Sequence, residues 1–185
     1  MLLDIGSGQR RLREGMINLD LFPLQNVDIV ADAHHLPFRD SSVDGIHCDA
    51  VLEHVQDPYI AVQEMSRVLR RGGMIIAWVP FIAHYHPVPS DFHRFTVSGT
   101  RNLFSDFQEI ELIVGPGPSS AVADILRDYL INLLSFGHSK IRGWLYVLLG
   151  WLFLPWKYVD VVARWQSYRA QAHSIAAGFL YVGRR

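Results

Sequence analysis

The chain has 185 residues, 50% of them apolar and 19% charged, with a formal net charge of −1. That length is one domain's worth, and so large an apolar share buries a core, which excludes a disordered chain. The near-neutral charge excludes the cationic surface that nucleic-acid binding needs, and the single cysteine, Cys48, excludes an internal disulfide and fits a reducing, cytoplasmic setting.

Residue 2 already opens strand-like sequence, and no signal peptide is expected. Residues 2–5 are apolar without alternation and predict a buried parallel strand that ends in the turn Gly6-Ser7-Gly8. Short strands follow at 17–19 and 27–31, each ending in an acid, Asp20 and Asp32. The segments 9–15 and 21–26 contain Gly15 and Pro23 and are too short for crossover helices, so they read as loops. A fourth strand spans 43–48. Asp57 then caps a helix with Pro58 at its first position, and an apolar stripe carries it to Arg70, where Gly72-Gly73 stops it. Strand five is 74–79. The arginines at 10, 11 and 13, and at 67, 70 and 71, read as a solvated face and a helix end. A loop rich in His, Pro and aromatics runs from 80 to 95, and Thr96 caps a helix to about 107. A strand at 107–114, a helix from 121 to about 135 and a last strand at 175–182 complete the chain.

Gly6 and Gly8 let a ligand approach the backbone at a strand end, Asp20 stands where a carboxylate accepts from ribose hydroxyls, and Asp32 can accept from an exocyclic amine. A dinucleotide fingerprint needs a third glycine, yet Arg11 holds that place, and the acid arrives only twelve residues after Gly8. No Walker motif is present. A cofactor without phosphates fits better.

The ordered set LLDIGSG, INLD, DIVADAHHLPF, VDGIHCDAVLEHV, EMSRVLRRGGMIIAWVP and DFHRFT resembles the class I S-adenosylmethionine-dependent methyltransferases, in their methyltransferase type 11 branch. The resemblance covers about residues 1–115 and 175–185. It implies S-adenosyl-L-methionine held by Asp4, Gly6, Ser7 and Gly8, with its ribose on Asp20 and Leu21 alongside. Its adenine would lie near Asp32 and the Ala33 backbone, and Asp49 would close the methionine side, with Glu53-His54 just beyond. The family usually has a helix before the first strand and full helices after the first two, and this chain departs from that pattern.

Methyl transfer from a sulfonium needs alignment, exclusion of water and, for a protonated acceptor, a base. His84, His86 and His93 in the loop after strand five, and His54 after strand four, are the candidates. Asp91, His93 and Arg94 also suit a purely structural role holding their own loop. No metal is expected, because the His-x-His pair has no cysteine and only one nearby carboxylate, and Cys48 reads as a small hydrophobe.

Residues 143–156 carry no charge but include Trp144, Trp151 and Trp156. Three readings stand: a buried helical pair covering the sheet, an interfacial membrane contact flanked by Lys140, Arg142 and Lys157, or a homodimer face. Gly150 and Pro155 weaken a straight spanning helix. The fold expected is a single α/β domain over 1–185. Its sheet is Rossmann-like and mostly parallel with an antiparallel last strand, its early crossover helices are reduced, and a helical insertion spans about 118–172. The function expected is methyl transfer to oxygen or nitrogen of a small-molecule or glycan-like, or lipid-linked, acceptor. The alternative is a non-catalytic relative that binds a nucleoside or a partner protein.

Overall fold

The computed structural model describes residues 1–163 and 166–185; residues 164 and 165 of the expected insertion lie outside it. The opening apolar run forms β1 (Leu2–Ile5), followed by β2 (Met16–Asp20), the two-residue β3 (Ile29–Val30) and β4 (Val43–Asp49). Helix α1 (Pro58–Val68) leads into β5 (Leu69–Pro80), α2 (Val97–Leu103) and β6 (Gln108–Val114). Helices α3 (Pro118–Leu134), α4 (Ser139–Val162) and α5 (Gln166–Gln171), a 3-10 turn (Ala172–Ser174) and β7 (Gly178–Arg184) end the chain.

The strands form one sheet in the order β3-β2-β1-β4-β5-β7-β6. β1 to β5 are mutually parallel, with Leu3 level with Ile17 on one side and Ile46 on the other. β7 runs against its neighbours: Gly72 and Gly73 exchange backbone bonds with Arg185 at one end of β5, and Phe81 N–H donates to Ala177 at the other. The mostly parallel sheet with an antiparallel last strand is therefore as expected. All-parallel pairing buries both faces of the central strands, which explains why Leu3, Ile5, Ile46, Ile75 and Ala77 are nearly inaccessible.

No helix forms in 9–15 or 21–26. Those loops keep their backbone groups bonded through side chains instead. Buried Asn18 donates its amide to the carbonyls of Arg10 (2.8 Å) and Asn26 (3.0 Å). Arg11, read from sequence as a solvated face, donates to the Met16 and Asn26 carbonyls and pairs with Asp28 at 2.7 Å.

Asp57 caps α1 as expected, accepting the N–H groups of Tyr59 and Ile60. The end of α1 differs: it stops at Val68 rather than Arg70, and Gly72-Gly73 lie inside β5, where Gly72 adopts φ +76°. The carbonyls of Arg67 and Val68 are taken by the Ser41 and Ser42 N–H groups, and the Arg185 guanidinium also donates to Arg67. A terminus so satisfied needs no glycine cap.

The chain divides into two compact units. One comprises residues 1–80, 86–113 and 179–185; the other comprises 81–85 and 114–178. In the second unit α3 and α4 pack through Ala123, Ile131, Leu149 and Phe153. Asp160 accepts from the Ser119 and Ser120 N–H groups at 2.9 Å, placing a carboxylate on the orphan donors at the start of α3. α4 runs unbroken through Gly150 and Pro155, and only Leu149 and Phe153 of its 24 residues are buried. Most of the apolar run is therefore exposed, Trp144 and Trp151 among it.

Candidate functional site

β1 delivers the chain to Gly6, whose φ of +68° turns it sharply, and the Gly6 and Ser7 N–H groups both donate to the Leu19 carbonyl at the end of β2. A Cβ on Gly6 would stand 2.2 Å from Val51 Cγ2, so the turn exists only as glycine. One strand over, Asp20 is 9% exposed and accepts from the Gly8 N–H (2.9 Å) and the Phe22 N–H (3.0 Å). Its carboxylate therefore ties the glycine turn to the loop after β2 and keeps lone pairs for a ligand.

These groups line one cavity of about 390 Å³ in the first unit. Of the residues expected at a cofactor, Gly6, Ser7, Gly8, Asp20, Leu21, Asp32, Ala33 and Asp49 are all in its wall. Asp4 is not. It sits level with His47 on β4, is 3% exposed and bonds the His47 Nδ1 at 2.8 Å, because alternation along β1 turns it from the cavity that Ile5 lines. Asp32 accepts from the His34 N–H (2.9 Å) and ring Nδ1 (2.7 Å). Burial pushes the Asp32 carboxyl up, but the two His34 bonds outweigh it and hold it below its usual range. Arg10 reaches Asp49 at 3.3 Å at the lip.

The four histidines separate. His54 lines the cavity, with Nδ1 2.6 Å from the Ser90 carbonyl. His86 lies outside the lining but edge-on to His54, ring centroids 5.1 Å apart. His93 borders a different hollow beside α1, its Nε2 3.2 Å from the Gln56 carbonyl. His84 belongs to the second unit and pairs with Asp128 at 3.0 Å. The split follows from the loop's own bonds. Arg94 grips Asp91 through two nitrogens, Asp91 accepts the His86 N–H, and residues 92 and 93 donate to the Glu53 carbonyl. The neighbouring Arg94 guanidinium, partly countered by burial, holds the Asp91 carboxyl well below the usual carboxylate range.

A family model described as a methyltransferase domain, of type 11, matches residues 8–77. Over that stretch, less than half of its length, the chain is similar to the type 11 methyltransferase domains. Over 79 residues it is 35% identical to an uncharacterized 37.1 kDa protein in transposon TN4556 of Streptomyces fradiae, covering 43% of this chain and 23% of that protein. Over 54 residues it is 43% identical to the demethylmenaquinone methyltransferase of Staphylococcus aureus, covering 29% of this chain and 22% of the enzyme. The chain thus spans less than a quarter of the length of these two curated relatives. Among solved structures the cyclase SpnF aligns with a TM-score of 0.60 at 16% identity, over 100% of this chain and 74% of that one. That likeness is one of fold, and within a shared fold the side chains of the site decide the chemistry.

The site has parts that the sequence did not point out. Val51, Val55, Val88 and Pro89 supply apolar wall, and Ala50 turns the chain after β4 with φ +56°. Positive φ in a non-glycine residue at a cavity edge is the kind of outlier that functional sites hold. Glu53 is wholly buried, and among the described residues neither of its carboxylate oxygens has a hydrogen-bond partner. Burial pushes its carboxyl up, against the pull of its own backbone N–H and the opposing charges of His54, His86 and Arg94. Burial likewise raises the Cys48 thiol well above its ordinary value, helped by the nearby acids, which keeps it protonated and unreactive.

Proposed function

We propose that the cavity binds S-adenosyl-L-methionine and that the chain transfers its methyl group to oxygen or nitrogen of a small-molecule or glycan-like, or lipid-linked, acceptor. The observation that carries this reading is the meeting of three strand-end features, the Gly6–Gly8 turn, Asp20 and Asp32, in one cavity. The residues fit the cofactor on two counts. The missing Cβ at Gly6 leaves backbone exposed at the turn, and Asp20 is fixed by two N–H bonds with acceptor capacity to spare.

The cofactor supplies an activated methyl on a positively charged sulfur. Asp20 holds the ribose, Asp32 and the Ala33 backbone hold the adenine edge, and Asp49 faces the cationic end. Leu21, Val51, Val88 and Pro89 exclude water from the reacting pair. His54 is assigned to the acceptor side, because it is the candidate histidine that lines this wall.

Isothermal titration with the methyl donor and with its demethylated product tests the reading, and heat with micromolar to submillimolar affinity is expected. Asp20→Ala should weaken binding by about 1–3 kcal/mol, the loss of a charge-assisted bond. No heat at millimolar ligand would overturn the cofactor assignment. Binding without turnover on any acceptor offered would favour the non-catalytic alternative.

We also infer that α4 rests in a bilayer interface. Its apolar window has a mean hydropathy of 1.4 and is only 11% buried, and Trp144 and Trp151 are 77% and 73% exposed. So large an apolar face is costly in water, while indole rings beside Lys140, Arg142 and Lys157 suit the boundary between headgroups and acyl chains. The full chain should float with anionic liposomes, and Trp151→Asp combined with Leu148→Asp should leave it at the bottom of the gradient. A lipid-indifferent dimer in light scattering would give this face to a second copy instead.

A further inference from the structure

The Glu53 carboxylate, wholly buried and without a hydrogen-bond partner among the described residues, is the anomaly that asks for a ligand. A buried carboxylate left unsatisfied is strongly unfavourable unless a proton or a cation completes it. Two imidazoles face it: His86 Nε2 lies 3.6 Å and His54 Nε2 3.8 Å from Glu53 Oε1, both too long for hydrogen bonds. One ligand atom from each of the three residues falls within 4.8 Å of the others. Around a first-row divalent ion with bonds of about 2.1 Å, ligand atoms stand about 3.0–3.5 Å apart, so small side-chain adjustments close this set.

The far side of the His54 ring is arranged to match. His54 places Nδ1 2.6 Å from the Ser90 carbonyl, which fixes the proton there and leaves Nε2 as the lone-pair nitrogen facing Glu53. His86 places Nδ1 3.5 Å from Asp91 Oδ2, with an Arg94 Nη2 at the same distance, and its backbone N–H is held by the same Asp91 oxygen. For His54, an acceptor behind the ring and an Nε2 turned inward is how ligating histidines are oriented.

We propose that Glu53, His54 and His86 form a binding site for one divalent transition-metal ion, zinc or a neighbour of it in the series. Two imidazoles and one carboxylate leave coordination positions open, and His54 borders the cavity. An ion held there offers a Lewis-acidic centre to an acceptor oxygen, and His54 then acts on the acceptor through the ion rather than by taking its proton directly. The metal site rests on these three residues alone and stands whether or not the cavity binds the methyl donor.

The test uses the full chain stripped with a chelator and titrated with Zn²⁺ by calorimetry and with Co²⁺ by visible absorption. One equivalent should bind with micromolar or tighter affinity, giving imidazole-type Co²⁺ bands and a higher melting temperature. Glu53→Gln and His86→Ala should each weaken binding at least tenfold, while His138→Ala leaves it unchanged. Glu53 is fully buried, so Glu53→Gln is read only if its melt stays cooperative; His86, 31% exposed at its side chain, carries the test regardless. No saturable binding at millimolar metal, or an affinity unaltered in His86→Ala, overturns the proposal.

Discussion

Gly6→Ala is expected to lower stability by about 2–5 kcal/mol and to weaken cofactor binding at least tenfold, in denaturant unfolding and calorimetry respectively. Two costs add. At φ +68° any Cβ meets the following carbonyl, worth about 1–2 kcal/mol. The new methyl would also lie 2.2 Å from Val51 Cγ2, and forcing such an overlap apart typically costs about 1–3 kcal/mol. The affinity falls because Gly6 and Val51 are both cavity wall, so whichever yields reshapes the site. Gly8 supplies the control. Its φ is +58°, yet a Cβ there meets nothing within 4 Å, so Gly8→Ala should show the backbone cost alone. Adding Val51→Ala to Gly6→Ala should recover the packing share and leave the backbone share. Equal losses at Gly6 and Gly8 would show that the contact with Val51 does not matter.

This glycine turn was legible because its cause is local: an apolar strand without alternation, glycines at its end, and acids at the ends of the next two strands. The start of α1 was legible for the same reason, since Asp57 and Pro58 carry a cap and a first turn within the segment itself. Its end was not. Gly72-Gly73 mimic a stop signal, but the terminal carbonyls are taken by Ser41, Ser42 and Arg185, partners that only the folded sheet brings near. Asp4 misled because it belongs to the same motif as Gly6, and only its register against His47 shows which way it faces. The walls at Val51 and Val88-Pro89, and the convergence of His86 on Glu53, depend on loops meeting across more than thirty residues of sequence. The charge-free run at 143–156 left its fate open because composition is the same for a helix that fills a core and one that seeks an apolar partner. Exposure distinguishes them, and exposure is tertiary.

Arg94→Ala should cost about 3 kcal/mol at neutral pH, the lower end of what removing one partner of a buried ion pair costs, because Arg94 is 26% exposed while Asp91 is 1% exposed. The truncation leaves a carboxylate with the His86 N–H but no guanidinium in a site that solvent does not reach. The pH dependence identifies the mechanism. The Asp91 carboxyl is held below its unfolded value of about 3.9, so its contribution is fully present above that pH and is lost as pH falls through the folded value. Without Arg94, burial pushes the same carboxyl up, so the variant gains stability from protonation as pH falls toward about 3.9, and the native chain loses its own contribution only below that. The difference between the two should therefore be largest near pH 7, begin to shrink on acidification before the unfolded value of about 3.9 is reached, and go on shrinking below it, measured by denaturant unfolding across the series. A constant difference would assign the loss to packing of the Arg94 side chain. The same loop carries Val88 and Pro89 into the cavity wall, so Arg94→Ala should also weaken cofactor binding. Asp91→Asn, which keeps an acceptor oxygen for the His86 N–H without leaving a buried charge, should weaken it less.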